Sequence, residues 1–252
     1  MSERESKNGF IYKSAKIDVQ EINDDELNAI NKFSLAPLTA EEVFVFKIVV
    51  CDNEVDRDFE CFSIQALKQL EDLLIGKTVI KNHSMNADDQ IARIYSTELL
   101  QNSEITTSGE PYTQLVAKVY MCKTDENASI ISDIRAGIKK EVSVCCSVNS
   151  AICSICKNDR NKCRCRHLAG KEYADVENGK LCYFILNEVA DAYEVSFVAV
   201  PAQKNAGTYK AYDTNAIFEE KQNKLKDLKL EIQLGVAESF IFLKNKRSQG
   251  GI

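Results

Sequence analysis

Apolar residues along the chain form short strand-like runs with few helical patterns between them. Glu41–Cys51 is rich in Val, Phe and Ile, which predicts a buried strand. Similar runs predict strands at residues 77–82, 90–97, 113–122, 141–148, 181–187 and 192–200. Because strands and helices do not alternate regularly, the pattern favours an α+β fold or a mostly antiparallel barrel over a parallel, nucleotide-binding type of sheet.

Two helices are predicted among these strands. Ser63 is a suitable N-cap, and Gly76 a suitable stop, for a helix with one apolar face. That face consists of Ile64, Leu67, Leu70, Leu73 and Leu74. Asp125–Gly137 is the second candidate, and a short helix is expected at Asp24–Phe33.

The pattern divides the chain into three segments. Residues 1–40 form a polar extension, residues 41–212 the main domain with a polar insert at about 151–175, and residues 213–252 a helical arm. Within the arm, apolar residues recur at near-helical spacing, which predicts a long, partly exposed helix or coiled coil. A dimerisation helix would show the same pattern, so we expect a homo-oligomer formed through this arm.

Charge and composition exclude several classes of protein. The net charge of −6 argues against nonspecific binding to nucleic acid or anionic membranes. The chain contains no run of 18 apolar residues, so we expect no membrane span. The N-terminus lacks the apolar segment of a signal peptide. We therefore expect a reducing, intracellular setting, in which the ten cysteines are not a disulfide framework.

A cysteine-rich segment inside the insert predicts a metal site. Cys153 and Cys156 have the spacing of a zinc knuckle, and Cys163, Cys165 and His167 follow closely. Zinc needs four such ligands in tetrahedral geometry, and the polar residues between them cannot form a core. A site of four cysteines with His167 free, and a reduced loop without metal, remain alternatives. With four protein ligands the metal would be structural, since a catalytic zinc keeps one position open.

The chain has only two histidines. If His167 binds metal, His83 is the one imidazole base available near neutral pH. A serine on a rigid strand, activated by His83 and an orienting carboxylate, would suffice for acyl transfer. Ser143, Ser147 and Ser196 are candidate nucleophiles on strands, and a thiol of Cys145 or Cys146 is an alternative.

Four motifs, in order, make residues 42–210 resemble the prohead proteases of tailed bacteriophages. The family shows an Asp-Arg-Asp turn before a helix, a His at a strand end, a Val-Ser strand after a helix, and a Glu-Val-Ser-x-Val-x-x-Pro-Ala strand. The corresponding segments are Cys51-Asp-Asn-Glu-Val-Asp56-Arg57-Asp58, Asn82-His83-Ser84, Gly137-Ile-Lys-Lys-Glu-Val-Ser143-Val, and Glu194-Val-Ser-Phe-Val-Ala-Val-Pro201-Ala-Gln. The cysteine insert resembles that of a subset from prophages of Gram-positive hosts.

The resemblance implies a fold and an active site. The fold would be similar to that of herpesvirus assemblins, a mostly antiparallel β-barrel surrounded by helices. Ser143 matches the nucleophile, His83 the general base and Glu194 the orienting acid, with Asp191 as the fallback. Cys145 stands where the family has a small residue such as Gly, which affects the backbone that would form the oxyanion hole.

The resemblance also selects among the metal ligands. The related loops end in Cys-x-His, which favours a structural zinc site of Cys153, Cys156, Cys165 and His167, with Cys163 as a spare ligand. Zinc would have no part in catalysis.

The implied activity is that of a serine endopeptidase in the host cytoplasm, inside the immature capsid. Its substrates would be the scaffolding protein, or the scaffold-like segment of the major capsid protein, and the protease itself. No membrane and no specific nucleic acid is expected as a partner. Two other functions remain open: a catalytically silent assembly protein, and a zinc-knuckle module that binds nucleic acid through Lys157, Arg160, Lys162, Arg164 and Arg166.

Overall fold

The computed structural model describes residues 22–174 and 180–208. The helices are α1 (Asp24–Asn31), α2 (Ile64–Leu73) and α3 (Ala128–Arg135), with one 3₁₀ turn at Ala87–Asp89. The strands are β1 (Val43–Asp52), β2 (Glu60–Phe62), β3 (Thr78–Lys81), β4 (Gln90–Ile105), β5 (Pro111–Cys122), β6 (Val142–Cys153), β7 (Glu172–Tyr173), β8 (Lys180–Leu181), β9 (Phe184–Phe197) and β10 (Gly207–Thr208). The predicted α+β class is confirmed, with strands dominating the described part of the chain.

One sheet of eight strands forms the body of this part. Its order is β10-β1-β5-β4-β3-β9-β2, and β6 pairs with β9 along nearly its whole length. The predicted, mostly antiparallel barrel is not supported, because the sheet does not close within the described residues. β10 pairs with β1 over two residues and meets the segment before β6 through the single bridge Glu141–Gly207. Among the residues that the structure describes, these contacts do not form the continuous ladder that closure requires.

β9 lies at the centre of the site-bearing part of the sheet. It runs antiparallel to β6 and parallel to β2 and β3, so the sheet is mixed. The sequence predicted two strands here, at 181–187 and 192–200, but the structure has one strand, Phe184–Phe197, whose register against β6 shifts at Ala190 and at Tyr193. These shifts are bulges, which interrupt the pairing without turning the chain.

The main core lies between the sheet and helices α2 and α3. Ser63 caps α2, its Oγ accepting a hydrogen bond of 3.0 Å from Ala66 N–H, as the sequence predicted. Leu67 and Leu70 of α2 are fully buried against β-strand residues such as Val195. Burial of this apolar stripe fixes α2 on the sheet and so sets the position where β3 begins.

The N-terminal extension contributes the predicted helix α1. Ile30 of α1 is fully buried beside Tyr95 and Tyr120, while Glu26 receives a hydrogen bond of 2.7 Å from Lys118. The predicted long helix at 215–246 lies outside the described residues. No helix in the described part is long and apolar enough to cross a membrane.

Candidate active site and metal centre

His83 lies in a tight turn that follows β3. Asn82 and His83 both have a φ of +53°, a left-handed conformation that costs a non-glycine residue about 1 kcal/mol or more. Two hydrogen bonds hold this turn to β9: Asn82 N–H donates to the carbonyl of Phe197 at 3.0 Å, and His83 N–H donates to Ser196 Oγ at 2.7 Å. The strained backbone is thus fixed at the residue that carries the imidazole.

The His83 ring is paired with the carboxylate of Glu194. Nδ1 lies 2.6 Å from Glu194 Oε1, a distance typical of a charge-assisted hydrogen bond. The Glu194 side chain is only 3% exposed, whereas that of His83 is 41% exposed. With its Nδ1–H donated to the carboxylate, the ring carries its lone pair on Nε2, the nitrogen a general base uses.

Ser143 lies on the same face of the sheet as this pair. It is directly opposite Ser196 in the β6–β9 ladder, a position that places the two Cα atoms about 4.5–5.5 Å apart with their side chains on one face. Glu194, two residues from Ser196 on β9, shares that face. Ser143 is partly exposed, and its hydroxyl has no hydrogen-bond partner within the described residues. The three predicted residues therefore share one surface, without a preformed bond from Ser143 to His83.

The other candidate nucleophiles are less suited to attack. Cys145 lies opposite Glu194, and burial together with that negative charge raises the pKa of its thiol. Burial raises the pKa of Cys146 to about 11. Both thiols are therefore protonated at neutral pH and weakly nucleophilic. Ser196 is fully buried, and the Ser147 hydroxyl accepts a hydrogen bond from Tyr193.

Asp191, the fallback for the acid, does not meet His83. Its carboxylate is 3.3 Å from Lys77 Nζ at a site where both side chains are substantially exposed. It lies opposite Ser147 on β6, farther along β9 from the strained turn than Glu194. Of the two acids that the sequence offered, Glu194 is the one that contacts the imidazole.

The acidic turn after β1 contacts the segment after β9. Arg57 donates from its side chain to the carbonyl of Pro201 and from its backbone N–H to that of Ala202 at 3.2 Å. Gln203 Nε2 approaches Asp56 Oδ2 at 3.5 Å, and burial raises the pKa of the Asp56 carboxyl. Two motifs that lie about 145 positions apart in sequence are thus in contact, and the turn anchors the chain beyond β9.

Four cysteine and histidine side chains converge in the insert. Ligand atoms of Cys153, Cys156, Cys165 and His167 all lie within 4.8 Å of one another. His167 Nδ1 is 3.7 Å from Cys153 Sγ and 3.6 Å from Cys165 Sγ, and the sulfurs of Cys156 and Cys165 are 3.6 Å apart. A tetrahedral zinc with ordinary bond lengths would separate two sulfurs by about 3.8 Å and a sulfur from a nitrogen by about 3.6 Å. The cluster is therefore the right size to hold a metal ion.

The backbone around Cys153 supports a thiolate at this residue. Burial alone would raise the pKa of Cys153, but backbone N–H groups of Ile155 and Cys156 donate to its sulfur and the net shift of the pKa is downward. Lys157, with a φ of +60°, donates its N–H to the Cys153 carbonyl at 3.0 Å and so closes a tight turn. This is the geometry by which a Cys-x₂-Cys knuckle presents two sulfurs to one ion.

Two further cysteines lie near the cluster but outside it. Cys163, the spare ligand of the sequence prediction, is exposed and is not among the converging residues. Cys182 is buried with its sulfur 4.0 Å from that of Cys153, and burial raises the pKa of its thiol to about 12. Cys182 therefore packs as a neutral thiol behind the cluster, together with Phe184.

Two of the five cations proposed for nucleic-acid contact are engaged within the fold. Arg160 stacks over the Phe184 ring at 4.9 Å, and Lys162 pairs with Asp159 at 3.3 Å. Lys157, Arg164 and Arg166 are exposed. Contacts within the fold thus account for two of the five cations without any nucleic acid.

Ser196 contributes to the site in a way that the sequence, which offered it only as a candidate nucleophile, did not predict. Its hydroxyl donates to Glu194 Oε2 at 2.9 Å and accepts the His83 N–H. The available signal was the spacing Glu194-Val-Ser196, since residues two apart on a strand point to the same face.

Comparisons with protein-family models, curated protein sequences and solved structures find no match to the chain.

Proposed function

We propose that the protein is a serine endopeptidase with Ser143 as nucleophile, His83 as general base and Glu194 as the acid that orients the base. The observation that carries the proposal is the 2.6 Å pair of His83 and the buried Glu194, on the face of the sheet that also bears Ser143. Such a pair fixes the tautomer and stabilises the imidazolium that forms when the serine loses its proton.

The reaction would proceed in two stages. His83 Nε2 takes the proton of Ser143 Oγ as the oxygen attacks the carbonyl carbon of a peptide bond, and the imidazolium then protonates the leaving amine. A water molecule, deprotonated by the same nitrogen, hydrolyses the resulting ester and frees Ser143. The hydrogen bond from Ser143 to His83 would form as substrate binds, since catalytic hydrogen bonds often tighten only at that stage.

The free edge of β6 supports a peptide as the substrate. From Ser143 to Val148, β6 pairs with β9 alone, and no described strand hydrogen-bonds to its other edge. All six residues are partly exposed. Within residues 22–174 and 180–208, two bridges cover the ends of this edge: Glu141–Gly207 and Ile152–Asp159. An extended peptide could add to this edge as a further strand, next to the nucleophile.

The biological role that we propose is capsid maturation. The basis is the resemblance of four motifs to phage prohead proteases, and its support is that these segments meet around β9: the Arg57 turn with Pro201 and Ala202, and the His83 turn with Ser196. The substrates would be the scaffolding protein or the scaffold segment of the major capsid protein, inside the immature capsid.

We further propose that the cysteine cluster binds one structural zinc ion. Its four ligands would complete a tetrahedral shell, which leaves no position for substrate or activated water. The ion would hold the polar insert against the end of β6 and so stabilise the strand that carries Ser143.

Labelling with a fluorophosphonate tests the proposed activity. We expect the probe to modify Ser143 in the full chain, and Ser143→Ala and His83→Ala to abolish the labelling because nucleophile or base is lost. Ser147→Ala, on the same strand, is the matched control and should label normally. Labelling that survives Ser143→Ala would place the nucleophile at another residue. A folded wild-type chain that never labels or cleaves its capsid or scaffold protein would instead favour the catalytically silent assembly protein.

A further inference from the structure

Ser196 occupies a central position between the base and its acid. It lies in the middle of the sheet with no exposed surface, flanked by β3 on one side and β6 on the other. Its oxygen accepts the backbone N–H of His83 at 2.7 Å, and its own hydrogen is donated to Glu194 Oε2 at 2.9 Å. One hydroxyl therefore contacts both the backbone of the base and the carboxylate that orients its ring.

Each of the two hydrogen bonds of the Ser196 hydroxyl satisfies a polar group that has few other partners among the described residues. Glu194 is buried, with Oε1 bound to His83 and Oε2 bound to Ser196, so each carboxylate oxygen has one side-chain donor. The His83 N–H belongs to the left-handed turn, whose backbone is held to β9 by the N–H groups of Asn82 and His83. Removal of the hydroxyl would leave a carboxylate oxygen and a strained N–H without partners at the same time.

We propose that Ser196 is a positioning residue that fixes the backbone of His83 and the carboxylate of Glu194 in one register, and so holds the imidazole in its Nδ1–H tautomer. The inference rests on the proposed protease function only for its effect on rate; its effect on the imidazole does not depend on that function. Ser196 is too deeply buried to touch substrate, and it acts through the two residues that it binds.

The small number of histidines makes the imidazole directly observable. The chain has two, and His167 belongs to the metal cluster, so the ring-nitrogen NMR signals of histidine-labelled full-length protein separate into two sets. We would record them in a Ser143→Ala background, which prevents self-cleavage and leaves the His83–Glu194–Ser196 contacts untouched.

The expected result is a change of tautomer. With Ser196 present, neutral His83 should be almost entirely in the Nδ1–H form, with a slowly exchanging, far-downfield Nδ1 proton. Ser196→Ala should add a clear Nε2–H population and lose that proton signal. Ser196→Thr, which retains the hydroxyl, should restore the predominant Nδ1–H form and its downfield proton signal. An unchanged Nδ1–H signal in Ser196→Ala would overturn the proposal.

Kinetics in the Ser143-containing chain give a second readout. Ser196→Ala should lower kcat about 10- to 100-fold with little change in KM, in line with the loss of partners behind other functional histidines. Ser196→Thr should recover most of the rate. A loss of stability that leaves the kcat of the folded protein unchanged would assign Ser196 a purely structural role and contradict the proposal.

Should Ser196→Ala not fold, Ser196→Cys keeps the volume and replaces the hydroxyl with a weak donor, and the same tautomer change is expected.

Hydrogen exchange tests the hydrogen bond from His83 N–H to Ser196 with no substitution at all. The His83 amide should exchange far more slowly than that of exposed Met85 two residues later, and equal rates would refute this hydrogen bond.

The two proposals can fail separately. A tautomer change without fluorophosphonate labelling would uphold the positioning role of Ser196 while the proposed activity fails. Labelling without a tautomer change would uphold the activity and contradict the positioning role.

Discussion

Glu194 shows how both oxygens of a buried carboxyl group can find hydrogen-bond donors beside an imidazole. Its two oxygens accept from His83 Nδ1–H and from the Ser196 hydroxyl, which compensates for the loss of water around a side chain that is 3% exposed. A buried charge that loses a partner is destabilised by several kcal/mol, so the trio would be expected to respond as a unit to substitution.

We predict that Glu194→Gln lowers kcat by about 10³- to 10⁴-fold while the protein stays folded. The neutral amide cannot stabilise an imidazolium and can present its own N–H to Nδ1, which selects the wrong tautomer. Cleavage kinetics on a peptide or capsid-protein substrate measure the loss.

Asp191→Asn is the control for that substitution, because Asp191 pairs with the exposed Lys77 and does not contact His83. Its kcat should stay near the wild-type value. If Asp191→Asn were the more damaging change, Glu194 would not be the orienting acid.

Asp52 gives a pH-dependent prediction about stability. Burial raises the pKa of its carboxyl above the usual value, although Tyr112 donates to it at 2.8 Å and Asn205 at 3.1 Å. An acid with a raised pKa in the folded state favours folding most when it is protonated, and loses that contribution as the pH rises through the folded pKa.

The free energy of unfolding of the wild type relative to Asp52→Asn should therefore decrease as the pH rises from below about 3.8 towards 7. Urea unfolding of both proteins at a series of pH values measures this difference, and effects shared by the two chains cancel. A difference that grew with pH would mean that the hydrogen bonds to Asp52 outweigh its burial.

At the level of elements, the proposed zinc site would order the insert between β6 and β9. Apart from the small cluster of Cys153, Cys182 and Phe184, the described insert has few buried apolar residues. Asp159 connects it to β6 by accepting from Ala151 N–H at 3.2 Å, and pairs with Lys162. A metal ion bound by four side chains would supply the cohesion that a core supplies elsewhere.

We predict about one zinc ion per chain, and loss of that ion in Cys156→Ser, because Cys156 supplies one of four converging ligand atoms. Elemental analysis of the purified protein measures the content. Chelation should also lower the Tm of the wild type, since the ion binds only the folded loop.

Cys163→Ser is the matched control, because Cys163 is an exposed cysteine of the same loop outside the cluster. Its zinc content should equal that of the wild type. Equal loss of metal in both variants would point to a four-cysteine site or to nonspecific binding.

At the level of the whole molecule, β9 is where distant segments meet. His83 reaches it from β3, Ser143 lies beside it on β6, and the segment that follows it contacts Arg57. A site assembled from several elements exists only when the sheet is folded, so its activity should be lost together with the fold in a cooperative transition.

Self-cleavage is the expected behaviour of the intact active protein. On prolonged expression, the wild-type chain should yield shorter species, since a protease at high local concentration meets its own exposed segments. Ser143→Ala should remain full length, and intact-mass measurement distinguishes the two. Shortening of both chains at the same positions would indicate a host protease, and Ser147→Ala, cleaved like the wild type, controls for the substitution itself.

Local patterns along the chain predicted the parts of the fold that depend on neighbouring residues. The cap at Ser63, the apolar face of α2 and the strand at β1 follow from spacing within one element, and the structure confirms them. The spacing of Cys153 and Cys156 is also local, and the four ligands expected from the resemblance do converge. The roles of Ser143, His83 and Glu194 in catalysis stay predictions, although the structure brings the last two into contact.

Tertiary structure decided what depends on residues distant in sequence. The strand order that leaves the sheet open among the described residues has no local signature, and neither has the register of β3 on β9 that selects Glu194 over Asp191. Ser196 looks like any strand serine until the left-handed turn at His83 is placed against it 113 positions away. Sequence by itself determined which side chains could do the chemistry, because residue type and local spacing fix chemistry and secondary structure. Only the folded sheet decided which of them meet, because strand register is a property of long-range packing.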